Sequence, residues 1–139
     1  MKKAFLFLMI LMVLFARNIQ AQSEANISKS PEPTSIGIVI YSDDVETVWN
    51  AIRFSNYSIN QGDTVSIFLL GKGVELDNLV EVDTNIKEQT NAFLEAGGTI
   101  LGCGTCLRSR NNDEPQICKF ASMKDLYELV RKNKIVLTF

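Results

Sequence analysis

Four short apolar segments, each separated from the next by a stretch with helical spacing or turn residues, constrain the fold of this chain more than any other feature. The segments that we predict to be strands are residues 36–41, 64–70, 99–102 and 134–139. The first is continuously apolar, which is typical of a strand buried on both faces of a parallel sheet. Strands that alternate with helices predict an α/β fold, here a three-layer sandwich around a mainly parallel sheet of about five strands, in a flavodoxin-like arrangement.

The segments between the predicted strands contain helix signals of different strength. Apolar residues at 3–4 spacing over residues 45–59 predict a helix, with Asp44 among its cap candidates. A second helix is predicted over residues 86–94. A third begins at the pair Ser122 and Asp125, a hydroxyl and a carboxylate at the spacing of a capping box. Residues 71–74 are predicted to form a turn, followed by a polar, acidic connection.

The first 21 residues have the pattern of a secretory signal peptide. Two lysines precede an unbroken apolar run over residues 4–15, and Ala21 is a small residue at a cleavage position. The run is shorter than the roughly 20 apolar residues of a membrane-spanning helix, although an uncleaved anchor is the alternative. We therefore expect a periplasmic protein without stable membrane insertion. Residues 22–35 are expected to form a disordered leader and residues 36–139 the folded domain.

Charge and histidine content narrow the functional classes. The chain has no histidine, so a cysteine in it has no imidazole base of the kind that a cysteine protease uses. Residues 22–139 carry 11 basic and 16 acidic residues, a net charge of −5, which argues against nucleic acid as a partner. Three cysteines without histidine fit a four-ligand zinc site poorly. We expect no metal and no cofactor, with a soft metal shared across an oligomer as the alternative.

The segment after the third predicted strand carries the candidate chemistry. Cys103 and Cys106 lie in a glycine-containing turn that precedes a basic helical start, at the edge of the sheet where parallel folds place their ligands. A helix N-terminus and nearby cations lower the pKa of a thiol. We expect the amides of residues 104–106 to point at the sulfur of Cys103, so that Cys103 ionises and alkylates before Cys106. Cys118 is interpreted as a core residue or a neighbouring third thiol.

Two arginines and two glycines are candidate substrate-binding residues. Arg108 and Arg110 have the charge to stabilise a thiolate or bind an anionic sulfur donor, although a solvated helix face explains them equally well. Gly71 and Gly73 leave the second predicted strand at the same edge of the sheet. Their loop lacks the length and the Lys-Ser/Thr ending of a phosphate-binding loop.

Several of these segments together resemble the DsrE/DsrF-like family. They are the first strand, Phe68-Leu69-Leu70-Gly71-Lys72-Gly73-Val74, Ile100-Leu101-Gly102-Cys103-Gly104-Thr105-Cys106-Leu107 followed by Arg110, and the ending Ser122-Met123-Lys124-Asp125-Leu126-Tyr127 with Val136-Leu137-Thr138-Phe139. The resemblance implies a small α/β sandwich and a role in sulfur relay, in which one cysteine after the third strand carries a persulfide. Cys103 matches that cysteine, and Cys106 is the extra thiol of the Cys-Gly-Thr-Cys branch. The resemblance also implies a homo-oligomer, trimer or hexamer, that meets sulfur donor and acceptor proteins or small sulfur anions.

Three functions are therefore consistent with these residues. The first is a sulfur carrier or sulfurtransferase that holds sulfane sulfur on Cys103, with Cys106 resolving or protecting the persulfide. The second is a thiol–disulfide oxidoreductase that uses Cys103 and Cys106 as a redox couple, which an oxidising compartment favours. The third is a non-enzymatic oligomeric binding module whose cysteines are incidental.

Overall fold

The computed structural model describes residues 32–139, so the predicted signal peptide and most of the predicted leader lie outside the described residues. The strands are β1 (Ser35–Ile40), β2 (Thr64–Leu69), β3 (Thr99–Cys103), β4 (Lys119–Ala121) and β5 (Ile135–Thr138). The helices are α1 (Val45–Asn60), a 3₁₀-helix (Gly71–Glu75), α2 (Leu76–Val82), α3 (Thr84–Glu95), α4 (Gly104–Arg108) and α5 (Met123–Lys132). Within the described part of the chain, each helix is too short or too polar to cross a membrane.

The five strands form one parallel sheet in the order β4-β3-β2-β1-β5. Strands β1 to β4 are added stepwise in one direction, and right-handed crossovers therefore bring α1 and α3 to the same face of the sheet. The chain then returns across the sheet to place β5 beside β1, which brings α5 to the opposite face. The predicted three-layer α/β fold is confirmed. The strand order differs from the flavodoxin order 2-1-3-4-5, because here the last strand takes the edge beside β1.

The main core lies between the sheet and the pair α1 and α3, which pack against each other. Apolar side chains at helical spacing, such as Ile52 of α1 and Phe93 of α3, are fully buried there. Alternate residues of neighbouring strands share this face in register, among them Ile38 and Ile67. Burying one side chain of this size contributes about 1.5–3 kcal/mol, so this face supplies most of the stability of the domain.

The opposite face of the sheet is covered by α5 in the described part of the chain. A Cβ atom on Gly37 would lie 2.5 Å from Cδ2 of Leu129, so glycine on β1 allows this helix to approach the sheet closely. Leu129 is buried, whereas Tyr127 and Val130 on the same helix are exposed. The third layer is therefore thinner than the first, and part of its apolar surface faces solvent.

Side-chain caps define where α1 and α5 begin. Asp44 precedes α1 and accepts hydrogen bonds from the backbone N–H of Thr47 at 2.9 Å and from its hydroxyl at 2.7 Å. The capping box predicted at the start of α5 is confirmed, since the Asp125 carboxylate accepts from the N–H and the hydroxyl of Ser122, both at 2.7 Å. The bonds from the N–H groups of Thr47 and Ser122 satisfy backbone donors that a helix leaves without intrahelical partners.

Two regions of the sequence prediction are wrong. Residues 71–74 and the acidic connection after them form the 3₁₀-helix and α2 rather than a turn and a loop. The α2 signal was missed because its buried apolar residues, Leu76 and Val80, span a single turn among polar residues. Strand β4 was also missed, because it has three residues of which two are exposed. These residues form a strand because their backbone pairs with that of β3.

Candidate functional site

The carboxyl edge of the sheet brings the segment after β2 into contact with the segment after β3. These strands are neighbours in the sheet, and they are followed by the 3₁₀-helix and by α4. The backbone N–H of Gly71 donates to Sγ of Cys106 across 3.3 Å. Two sequence-predicted site residues that are 35 positions apart therefore meet at this edge.

The thiols of Cys103 and Cys106 contact each other. The S–H of Cys106 donates to Sγ of Cys103, and the two sulfur atoms are 2.9 Å apart. Both are free thiols, at a separation well beyond the S–S bond length of about 2.05 Å. Cys103 is 3% exposed and Cys106 is half-buried. The pair thus lies where the core meets solvent.

Helix α4 does not stabilise Cys103 in the way that the sequence predicted. Cys103 is the N-cap residue of α4, but its side chain makes no capping hydrogen bond, so the expectation that the amides of residues 104–106 point at its sulfur is wrong. The backbone leaves β3 at φ −56° and ψ 108°, and the sulfur accepts from the Cys106 thiol instead. The hydrogen-bond donor to Cys103 is therefore a thiol rather than a helix terminus.

The surroundings of Cys106 favour its neutral form. Burial is the largest cause that raises the pKa of the Cys106 thiol, and its hydrogen bond to Cys103 and the like charge there act in the same direction. The Gly71 N–H and the Arg110 guanidinium oppose this rise in pKa without reversing it. Because a thiol with a raised pKa keeps its proton at neutral pH, Cys106 is suited to remain the donor.

The two candidate arginines have different surroundings. The Nε atom of Arg110 lies 2.8 Å from Oε1 of Glu75, and its Nη1 donates to the carbonyl of Cys106 at 3.1 Å. Arg108 is exposed, and its guanidinium carbon lies 5.9 Å from the centroid of the Phe120 ring. Arg110 thus links the 3₁₀-helix to the backbone of the thiol pair, while Arg108 lies over an aromatic ring.

The two candidate glycines also differ. Gly71 has a φ of +57°, a left-handed conformation that favours glycine, and it directs its N–H at Cys106. Gly73 is buried, and a Cβ atom at this position would overlap the carbonyl of Ile40. Gly71 is therefore in the thiol site, whereas Gly73 allows the 3₁₀-helix to pack on the end of β1.

Cys118 lies at the end of a loop that we call the strap (residues 109–118). Its sulfur packs on Gly102, where a Cβ atom would lie 2.5 Å from it. Burial, together with the negative charge of Asp77, raises the pKa of the Cys118 thiol to about 12. Asp77 also holds the strap, because it accepts hydrogen bonds from Asn112 Nδ2 at 2.9 Å and from the N–H groups of Gln116 and Ile117 at 3.0 Å.

Sequence reasoning did not identify Glu75 and Asp77. Both lie in the segment that was expected to be a loop, and the strap residues that Asp77 binds follow it by 35 to 40 positions. A cavity of about 410 Å³ lies between α2 and the strap and is lined in part by Glu75, Asp77 and Arg110. In residues 32–139 no group of three or more Cys, His, Asp or Glu side chains is arranged to hold a metal ion.

A parallel sheet with a thiol pair after its third strand is the arrangement that the family resemblance implied. The chain belongs to the DsrE/DsrF-like family, whose model matches residues 34–139. Uncharacterized protein MJ0989 of Methanocaldococcus jannaschii is 33% identical to it over 101 residues, which are 68% of this chain and 88% of that protein. Uncharacterized protein MK0008 of Methanopyrus kandleri is 29% identical over 120 residues, 79% of this chain and 98% of that protein.

Two solved structures have the same fold. The ychN protein from E. coli superposes with a TM-score of 0.65 at 16% sequence identity and covers 78% of this chain and 100% of its own. BT1422 from Bacteroides thetaiotaomicron, a conserved protein of unknown function, superposes with a TM-score of 0.64 at 23% identity and covers 76% of this chain and 95% of its own. At these identities the two structures support the fold and leave the chemistry to the residues of this chain.

Proposed function

We propose that this protein carries sulfane sulfur as a persulfide on Cys103 and passes it to a partner, with Cys106 resolving or protecting the persulfide. The observation that carries the proposal is the contact between two reduced sulfur atoms at the carboxyl edge of the sheet. Membership in the DsrE/DsrF-like family supports the same chemistry. The absence of histidine from the chain leaves a thiolate without an imidazole base, which suits attack on sulfur rather than on carbonyl carbon.

Loading of Cys103 requires a donor with a weak bond to a sulfane sulfur atom. The Cys103 thiolate attacks that atom, a new S–S bond forms on Cys103, and the donor's own bond to the sulfur breaks. The electron pair of the broken bond leaves with the donor, as sulfite from thiosulfate or as a shortened chain from a polysulfide. The Cys106 thiol, which already donates to Cys103, stabilises the negative charge on this sulfur before the attack.

Two outcomes are open to the loaded persulfide. An acceptor thiolate attacks the outer sulfur, the S–S bond breaks, and Cys103 leaves as a thiolate. Alternatively, the Cys106 thiolate attacks the inner sulfur, which forms a Cys103–Cys106 disulfide and releases hydrosulfide. Because burial raises the pKa of Cys106, the second path is slow near neutral pH. The persulfide therefore persists long enough to meet an acceptor.

The proposal includes a place and an assembly for this chemistry. The signal-peptide pattern of residues 1–21 favours the periplasm, and the family favours a homo-oligomer, trimer or hexamer. Fractionation of cells that express the full chain, followed by N-terminal sequencing of the product, tests the location. Sedimentation equilibrium of the processed protein tests the assembly.

Mass spectrometry of the loaded protein tests the function. The reduced protein is incubated with thiosulfate or inorganic polysulfide, and the intact mass is compared among wild type, Cys103→Ser, Cys106→Ser and Cys118→Ser. We expect one added sulfur atom on wild type, on Cys118→Ser and on Cys106→Ser, and none on Cys103→Ser. Equal loading of Cys103→Ser, or no loading of wild type by either donor, contradicts the proposal.

A second function is favoured by the same sulfur–sulfur contact. A disulfide between Cys103 and Cys106 needs only a small approach of the two sulfur atoms, so a thiol–disulfide oxidoreductase is the competing proposal. Insulin reduction and a redox titration of the pair distinguish the two. A pair that exchanges rapidly with glutathione but never holds sulfane sulfur supports the oxidoreductase.

A further inference from the structure

Two sulfur donors meet at the carboxyl edge of the sheet within a single chain. The sulfur atoms of Cys103 and Cys106 are 2.9 Å apart, and both are free thiols. The sequence allows a soft metal shared across an oligomer, whereas the fold brings two sulfur atoms to one point without a second chain. Thiolate sulfur is a soft donor that selects soft metal ions. The pair therefore has the chemistry of a metal site as well as that of a sulfur carrier.

The small number of donors at this edge narrows the choice of metal. In residues 32–139 no group of three or more Cys, His, Asp or Glu side chains is arranged to hold a metal ion, so Cys118 does not complete the pair. Structural zinc takes four ligands and catalytic zinc takes three with a water molecule, while iron–sulfur clusters take four thiolates. Cu(I) prefers thiolates and is stable with only two of them in a linear arrangement. Two sulfur atoms alone thus favour Cu(I).

A metal ion between the two sulfur atoms requires them to separate. A bond between a thiolate and a metal ion is about 2.3 Å long, so a linear unit holds its sulfur atoms roughly 4.5 Å apart. Cys103 is 3% exposed, whereas Cys106 is half-buried in the first turn of α4. A change in the rotamer of Cys106 separates the two sulfur atoms while the backbone stays in place. The metal ion therefore reaches the pair from the side of Cys106, where the site meets solvent.

The contacts of Cys106 suit the charge of such a complex. Binding of Cu(I) releases one proton from each thiol, transfers no electron and leaves a centre with one net negative charge. The N–H of Gly71 donates to the Cys106 sulfur at 3.3 Å, and the charge of Arg110 also favours the thiolate. Burial favours the neutral thiol, but a metal ion deprotonates the thiol that it binds outright.

We propose that Cys103 and Cys106 form a two-coordinate site for Cu(I) within one chain. The proposal rests on the sulfur–sulfur contact and on the lack of a third ligand among residues 32–139, and it does not depend on the persulfide function. Both uses need the same sulfur atoms, so a chain that holds Cu(I) does not carry sulfane sulfur on Cys103.

Competition with a coloured chelator measures the affinity of the site. The reduced protein is titrated without oxygen into the Cu(I) complex of bicinchoninate, whose colour fades as copper moves to the protein. We expect one Cu(I) per chain in wild type and in Cys118→Ser. Cys103→Ser and Cys106→Ser should each bind at least about 100-fold more weakly, because loss of a ligand costs more than the loss of an outer-shell partner. Circular dichroism verifies that the variants are folded.

Two further measurements test the number of ligands. X-ray absorption at the copper edge should show two sulfur neighbours in the wild-type complex. Zn(II), titrated against its own indicator, should bind at least about 100-fold more weakly than Cu(I), because two thiolates fill only half of its preferred shell.

Protection of the thiols locates the metal and separates it from sulfur transfer. One Cu(I) per chain should slow labelling of both Cys103 and Cys106 by N-ethylmaleimide by about tenfold or more, because the thiolate is both the nucleophile and the metal ligand. The labelling rate of Cys118 should not change. If wild type binds Cu(I) but never gains sulfane sulfur, the proposed function fails and the copper site stands. If Cys103 gains sulfane sulfur in a protein that binds no Cu(I), the copper site fails and the proposed function stands.

Four results overturn the copper proposal. The first is binding of Cu(I) by wild type no tighter than by Cys103→Ser. The second is half a Cu(I) per chain with a doubled sedimentation mass, which assigns the metal to a contact between two copies. The third is a shell of three sulfur neighbours that Cys118→Ser reduces to two, and the fourth is binding of Zn(II) as tight as that of Cu(I).

Discussion

The thiol pair and the thiol of Cys118 lie close together in the sequence but have different contacts. Cys106 receives the Gly71 N–H and touches the sulfur of Cys103 at the edge of the sheet. Cys118 packs on Gly102 at the end of the strap, where burial and the charge of Asp77 raise its pKa to about 12. The comparison shows that contacts from distant segments, rather than the cysteine itself, set the surroundings of each thiol.

The largest expected difference between the two regions is in their rate of alkylation. At pH 8 a thiol with a pKa of about 12 is ionised to roughly one part in ten thousand. We expect iodoacetamide to label Cys118 on the order of 100-fold more slowly than the faster member of the pair. Peptide mass spectrometry measures this, because Arg108 and Arg110 let trypsin separate Cys118 from the pair.

Denatured protein is the control for that comparison, since all three thiols then label at similar rates. Native labelling of Cys118 as fast as Cys103 or Cys106 would contradict the raised pKa of Cys118. The same data test whether Cys103 labels before Cys106, as the sequence predicts and as the donor role of the Cys106 thiol supports.

The next largest effect is expected from Asp77→Ala, which removes the carboxylate that holds the strap. Three hydrogen bonds from Asn112, Gln116 and Ile117 are lost, and half-exposed bonds of this kind together contribute about 2–3 kcal/mol. We expect that loss in the free energy of unfolding in urea. Labelling of Cys118 should also become about tenfold faster, because the strap loosens and a charge that raises the pKa of Cys118 is gone.

Asp113→Ala is the matched variant, because Asp113 is an exposed acid on the strap itself. It is expected to change the free energy of unfolding by less than about 0.5 kcal/mol. If Asp113→Ala and Asp77→Ala expose Cys118 equally, the strap is not held by Asp77.

A smaller effect is expected at the thiol pair from Arg110→Gln. Arg110 lowers the pKa of Cys106 through its charge, so its removal raises that pKa, and the rise of the Cys106 labelling rate with pH shifts to higher pH. We expect labelling of Cys106 at pH 8 to slow by about threefold, a typical effect of one partly screened charge. Arg108→Gln, which removes the cation over Phe120, should leave the pH dependence of Cys106 labelling unchanged. If both variants shift that pH dependence equally, Arg110 has no specific effect on the pKa of Cys106.

The smallest expected effect concerns acid stability at the start of α5, the helix that follows the thiol edge. Hydrogen bonds from the Ser122 side chain and then from its backbone lower the pKa of Asp125 below its usual value of 3.8. A carboxylate with a lowered folded-state pKa contributes stability above its unfolded-state pKa and loses it as the pH falls through the folded-state value. As the pH falls from 5 to 2, the midpoint of urea unfolding should fall less steeply in Asp125→Asn and in Ser122→Ala than in wild type. If both variants lose stability with pH as steeply as wild type does, this prediction is wrong.

The sequence predicts the layered fold because its main signals are local. Continuous apolar strands and the 3–4 spacing in α1 depend on neighbours in the chain, and the structure confirms both. The elements that were missed, α2 and β4, are short and lack a periodic pattern of their own. They form because distant segments pair with them, which no local pattern records.

The candidate site also has one part that the sequence predicts and one part that only tertiary packing decides. The position of Cys103 at the end of β3 follows from the apolar run before it. The contact between Gly71 and Cys106, and the ion pair between Arg110 and Glu75, each join residues 35 positions apart. Tertiary packing also decides that Cys103 receives a thiol rather than the amides of α4.

The central claim, that Cys103 holds transferable sulfur, is tested most directly by a pulse and chase on wild-type protein. The reduced protein is loaded with polysulfide, desalted, trapped with an alkylating agent before and after addition of an acceptor thiol, and mapped by tryptic peptides with fragment ions that separate Cys103 from Cys106. We predict that the added sulfur lies on Cys103 before the chase and on the acceptor after it, with Cys118 unmodified throughout. Sulfur that loads first on Cys106 or Cys118, or that stays on Cys103 when an acceptor is present, would contradict the account.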